Sequence, residues 1–121
     1  MTITLNHTIV PAHDKEASAR FYAEILGLRY AGVSGHFAPL RINDTLTLDF
    51  DTWEKFEPLH YAFHVDDATF DAVLGRVRER KLAYGSMPFS PEDGKLNDWN
   101  GGRGFYFRDP DGHLLELLTR P

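Results

Sequence analysis

The 121-residue chain predicts an α+β fold of two βαβββ modules. Three observations predict it. His7 precedes Asp14 by seven residues and His60 precedes Asp67 by seven, an internal repeat offset by 53 residues. Each half reads strand, helix, then a small antiparallel group of strands. Neither half alone has the size for a stable core, so the two should pair. Two copies at that spacing are too few and too long for a solenoid. Module one is expected over about residues 1–57 and module two over about 58–121 of a single domain.

The elements follow in chain order. Residues 3–10, ITLNHTIV, are β-branched and apolar and read as a strand. Asp14 has the chemistry of a helix N-cap. Ala17, Phe21, Ile25 and Leu28 then recur at helical spacing, and Gly27 is the stop. Residues 36–51 read as two strands joined by a turn at Asn43–Asp44. Residues 59–65, LHYAFHV, form the next strand, with His60, Ala62 and His64 on one face and Tyr61, Phe63 and Val65 on the other. Asp66 or Asp67 caps a second helix whose buried stripe is Phe70, Val73, Leu74 and Val77. The basic run from Arg76 to Lys81 closes it, favourably for the helix dipole. Residues 85–104 read as one long loop rich in Gly, Pro, Asn and Asp, a length that suits a segment covering a site. GFYFRDPDGHLLELLTRP closes the chain as two strands around a tight DPDG turn.

Composition narrows the function. A net charge of −5 argues against a nucleic-acid surface. With no cysteine, disulfides, thiolate zinc sites and cysteine nucleophiles are excluded, and any metal must use His, Asp, Glu or water. No apolar run approaches the ~20 residues of a membrane span, and the N-terminus has no signal-peptide pattern. The expectation is a cytoplasmic protein without a membrane or nucleic-acid partner.

The repeat puts His7 and His60 at equivalent points on the first strand of each module. Glu116 lies within LLELL, where an unpaired buried carboxylate would cost several kcal/mol. A bound cation removes that cost. Two imidazoles and one carboxylate, one per strand, form a candidate three-point metal site with open positions. His64 lies roughly 13 Å along the strand from His60, too far to share one ion. It is a candidate proton acceptor or a hydrogen-bonded wall residue. Tyr106, across the DPDG turn from Glu116, is a candidate hydrogen-bond donor to a developing oxyanion, or else one member of an interstrand aromatic pair. His113, in that turn, is expected to be solvent-exposed. His13 and His36 lie in or near loops and carry no signal.

HYAFHVDD and FYFRDPDGHLLEL resemble the vicinal oxygen chelate superfamily, and LNHTIV with SARFYAEILGL resembles the opening of its first module. That group holds glyoxalase I, extradiol dioxygenases, fosfomycin-resistance thiol transferases and bleomycin-resistance proteins. The resemblance implies paired modules curling into an open, cup-shaped mixed sheet around a divalent ion. Its metal-using members carry ligands at the positions of His7, His60 and Glu116, and a site tyrosine in a place similar to that of Tyr106. Glyoxalase I adds a fourth carboxylate ligand, at or near Thr47 here. Asp49, one pleat repeat further, is the only carboxylate on that strand read as able to serve.

The implied activity is that of a metal-dependent enzyme, an extradiol-type dioxygenase or glyoxalase-like lyase, binding a small substrate through adjacent oxygens. The ion is Fe, Mn, Ni or Zn. Phe37, Trp53, Phe56, Trp99 and Tyr106 are expected to wall the cup and suit a partly apolar or aromatic ligand. Arg103 and Lys95 are available to supply charge. Superfamily members of this size imply a homodimer with sites at the subunit interface, His7 coming from the partner. The competing reading is a metal-free, drug-sequestering protein of the bleomycin-resistance type.

Overall fold

A computed structural model describes residues 1–121. The chain forms two compact units, Met1–Glu57 and Pro58–Pro121. The α+β reading holds: each unit is an open mixed sheet with one helix.

In the first unit, β1 (His7–Ala12) is followed by α1 (Lys15–Leu26), β2 (Ala38–Arg41) and β3 (Thr47–Thr52). The sheet order is β1-β3-β2, with β1 parallel and β2 antiparallel to β3. Asp14 caps α1 by accepting hydrogen bonds from the Glu16 and Ala17 amides, and Gly27 ends it in the left-handed region at φ 73°. The Asn43 side chain accepts from the Thr45 and Leu46 amides, which fixes the β2–β3 turn where it was expected.

Two details differ from the sequence reading. The first strand begins at His7 rather than residue 3 and runs to Ala12. The buried stripe of α1 is Ser18, Ala19, Tyr22, Ala23 and Ile25, so Ala17 is exposed and Phe21 only half-buried. Tyr22 carries the core contact instead, packing edge-on against Phe50 with ring centroids 4.8 Å apart. Aromatic residues at consecutive positions made either one a valid period match.

In the second unit, β4 (His60–His64) leads to α2 (Asp67–Glu79), β5 (Tyr84–Gly85), β6 (Gly104–Arg108) and β7 (Leu114–Leu118). The order is β4-β7-β6-β5, with β4 parallel to β7 and the remaining pairs antiparallel. Asp66 is the N-cap of α2, accepting from the Thr69 amide. Phe70, Val73, Leu74 and Val77 are buried as expected. Phe70 meets Phe105 edge-on at 5.2 Å.

The long segment 85–104 is more ordered than a plain loop. It begins with β5 and contains a 3₁₀ turn over Trp99–Gly101. Asp93 accepts from the Ser86 and Lys95 amides and from the Ser86 hydroxyl. The Asn97 side chain donates to the Ser86 carbonyl. A Cβ at Gly85 would lie 2.1 Å from the Ser90 carbonyl oxygen, so the segment folds back against a position only glycine can occupy.

Candidate metal centre

Strand alternation gives each sheet a helix side and an open side. In the second unit Leu115, Leu117, Phe105 and Phe107 are buried on the helix side. The open side carries His60, Ala62 and His64 from β4, Glu116 from β7 and Tyr106 from β6. Glu116 stands opposite Ala62 on one neighbour and Tyr106 on the other.

These side chains meet. His60 Nε2 lies 3.0 Å from Glu116 Oε1, with the imidazole side chain 44% exposed and the carboxylate 13%. The Tyr106 phenol lies beside Glu116, and its pKa is pushed up to about 12 by burial first, then by the Glu116 charge and weak hydrogen bonding to that carboxylate. Tyr106 is 3% exposed, and the His60 ring meets it edge-on at 5.9 Å. Trp99 meets the other side of Tyr106 at 6.0 Å. Tyr106 is thus an aromatic neighbour of both His60 and Trp99, with the Glu116 charge beside its phenol. His64 shares the open side but its Nε2 donates to the Thr119 carbonyl at 3.1 Å.

In the first unit the open side carries His7, Thr47, Asp49 and Asp51. The His7 Nδ1–H donates to the Asn6 side-chain oxygen at 2.8 Å, which leaves the lone pair on Nε2. The two parallel registers correspond. In the second unit the residue opposite the position two beyond His60 is Glu116. In the first, the residue opposite the position two beyond His7 is Asp49. Asp49, not Thr47, is therefore the counterpart of Glu116. Thr47 lies directly opposite His7.

Asp51 is a second carboxylate on β3, which corrects the expectation that Asp49 was alone there. Its carboxyl is already engaged. Trp53 Nε1 donates to it at 2.8 Å and His36 Nε2 lies 2.9 Å away. Burial raises its pKa, but the Trp53 hydrogen bond and the His36 and Lys15 charges outweigh burial and lower it. Phe37 stacks edge-on with His36. His36, which carried no sequence signal, thus belongs to a buried-carboxylate cluster with Trp53.

Arg103 is placed on the helix side. Its guanidinium bonds Asp67 at 2.9 Å and Asp71 at 2.7 Å and lies 4.4 Å over the Phe70 ring. It shares phase with Phe105, not with Tyr106, and so ties the start of β6 to α2. His113 also departs from expectation: it is fully buried, because the turn folds its ring under Tyr61 and against the entry of β4. An imidazole between a Gly and an apolar strand is the signal that could have shown this.

Within the chain, no three His, Asp or Glu side chains group closely enough to hold a metal. His60 and Glu116 form a pair. An imidazole nitrogen and a carboxylate oxygen 3.0 Å apart, with a buried phenol beside the carboxylate, are two members of the donor set that divalent ions take. The residues present fit such an ion with a third donor added.

The sequence profile of the Glyoxalase/Bleomycin resistance protein/Dioxygenase superfamily matches residues 4–117. The chain is 30% identical to the glutathione transferase FosA of Serratia marcescens, over 97% of this chain and 81% of that protein. Among solved structures, the oxidase ChaP-H2 superposes with a TM-score of 0.95 at 50% identity, covering 100% of this chain and 96% of that one. The oxidase ChaP-H1 superposes with a TM-score of 0.94 at 47% identity, over 99% and 98%. No helix is long and apolar enough to cross a membrane.

Proposed function

Because the chain belongs to the Glyoxalase/Bleomycin resistance protein/Dioxygenase superfamily, we propose that it is a metal-dependent enzyme acting on a small substrate bound through two adjacent oxygens. The observation that carries this reading is the His60–Glu116 pair, 3.0 Å apart with Tyr106 beside it. His60, Glu116 and His7 would hold a divalent ion: Fe, Mn, Ni or Zn. Such an ion supplies Lewis-acid polarisation of the substrate oxygens. To hold the ion His60 would present its Nε2 lone pair, with the ring N–H on Nδ1. Tyr106 keeps the carboxylate from turning away. Trp99, beside Tyr106, offers an apolar edge suited to an aromatic substrate. Trp53 and Phe37, with Thr47 and Asp49, line the open side or edge of the first unit and are assigned to substrate contact.

His7 is proposed to act from a second copy of the chain. Residues 1–6 belong to no strand, and Ile3 and Leu5, in phase with His7, are 87% and 65% exposed. An apolar arm leading into a ligand strand suits burial against a partner subunit.

Dioxygenase-type chemistry is the first reading, favoured by the similarity to two oxidases. The lyase reading has an observation of its own: Asp49 stands in the first unit where Glu116 stands in the second. Metal analysis of untagged protein tests the proposal. Stoichiometric metal that is lost in His60→Ala supports the enzyme. An apo protein that binds aromatic ligands regardless of chelator supports the sequestering alternative. Oxygen uptake with catechols, against turnover of 2-oxoaldehydes with a thiol, separates the two enzyme readings.

A further inference from the structure

Leu59 and His113 are 54 positions apart in sequence but joined in space, at the entries of the two strands that bear His60 and Glu116. The Leu59 N–H donates to His113 Nδ1 at 2.8 Å, and the Leu114 N–H donates to the Leu59 carbonyl at 2.8 Å. His113 is itself fixed. Its amide donates to the Asp109 carboxylate at 2.9 Å, its carbonyl accepts from the Asp109 amide at 3.0 Å, and its ring lies edge-on to Tyr61 at 5.8 Å. Asp109 is buried and also accepts from the Asp111 amide. The DPDG turn therefore presents a rigid acceptor to the residue just before His60.

The need for such an acceptor follows from topology. β4 and β7 are parallel, so no tight hairpin sets their register. Alternation of Leu115 and Leu117 with Glu116 forbids a slip of one residue, which would drive the carboxylate into the core. It does not forbid a slip of two. That slip would keep Leu115 and Leu117 inside and place Glu116 opposite His64, four residues from His60, or directly opposite His60, in either case replacing the diagonal geometry of the 3.0 Å pair. Hydrophobic patterning fixes which face Glu116 occupies; something else must fix where along β4 it sits.

We propose that His113 is a positioning residue for the metal centre: its Nδ1, accepting from Leu59, sets the β4–β7 register that brings His60 and Glu116 to one point. This rests on the metal-enzyme reading above. It touches neither ion nor substrate and acts only through the two strands.

The test compares His113→Asn, whose amide oxygen can replace Nδ1, with His113→Gln, whose oxygen falls near Nε2, and His113→Leu, which has no acceptor. Zn(II) is titrated calorimetrically into each full-length protein, with urea unfolding and Leu59 amide exchange measured in parallel. The Asn variant should bind Zn(II) as the wild type does and keep the Leu59 amide protected. The Gln and Leu variants should bind about tenfold or more weakly, with faster Leu59 exchange, while still folded. If the Leu variant does not fold, the Asn and Gln variants decide. Wild-type affinity in the Gln variant, or equal loss in Asn and Gln, overturns the positioning role alone. Wild-type protein that binds no Zn(II), Mn(II), Ni(II) or Fe(II) overturns the metal reading and this role with it.

Discussion

Tyr106→Phe removes one oxygen atom from the centre and leaves the ring in place. Tyr106 is 3% exposed and its phenol sits beside a carboxylate that is itself 13% exposed. A weak polar contact of this kind contributes about 0.5–1.5 kcal/mol. At pH 7 the variant should lose stability of that order, and metal affinity should fall about tenfold, because Glu116 keeps only His60 to orient it. The alkaline limb gives an independent check. In the folded protein Tyr106 titrates near 12 rather than 10.0, through burial and then Glu116. Between those values the unfolded chain has released its proton and the folded chain has not, so stability present below pH 10 is lost as pH rises. The loss from Tyr106 is about 1 kcal/mol by pH 11 and about 2–3 kcal/mol above pH 12. Tyr61 is also raised to about 12, by burial and then by Asp109, and it remains in the variant. Urea unfolding at pH 7, 9, 10 and 11 should therefore show a lower starting stability for Tyr106→Phe but a shallower alkaline decline. Equal alkaline slopes together with unchanged Zn(II) affinity would refute Tyr106 as the neighbour that steadies Glu116.

Three further outcomes follow from the same contacts. Arg103→Ala should lower stability slightly in urea and leave metal affinity unchanged, since its partners Asp67 and Asp71 lie on α2; a loss of Zn(II) affinity would place Arg103 at the metal centre instead. Gly85→Ala should destabilise by about 1–3 kcal/mol in urea, because a Cβ there overlaps the Ser90 carbonyl. Mixing the His7→Ala and Glu116→Gln proteins, each expected to bind no metal, should restore roughly a quarter of wild-type metal capacity if His7 acts from the partner, and none if it acts within its own chain.

Much of the fold was legible because the apolar patterning is strong. The α2 stripe, the Asp14 and Asp66 caps and the Asn43 turn each rest on local chemistry that tertiary contacts do not override. The misread stripe of α1 arose where Phe21 and Tyr22 compete for one core position and packing chose the second. The His60–Glu116 pair was reachable because a lone carboxylate among leucines demands a partner. The roles of Arg103, Asp51 and His113 were not. Each depends on strand phase or on a contact between residues tens of positions apart, such as Leu59 with His113, and no period in the sequence encodes it. The choice of Asp49 over Thr47 likewise needed the β1–β3 register, which parallel strands leave unmarked in the sequence.

X-ray absorption of the Zn(II)-loaded protein tests the central claim most directly. The account predicts two imidazole nitrogens and carboxylate oxygen in the inner shell at about 2.0–2.2 Å, a signal absent from His7→Ala and His60→Ala, which bind no stoichiometric metal. A spectrum of water and carboxylate oxygen alone, unchanged by either substitution, would contradict it.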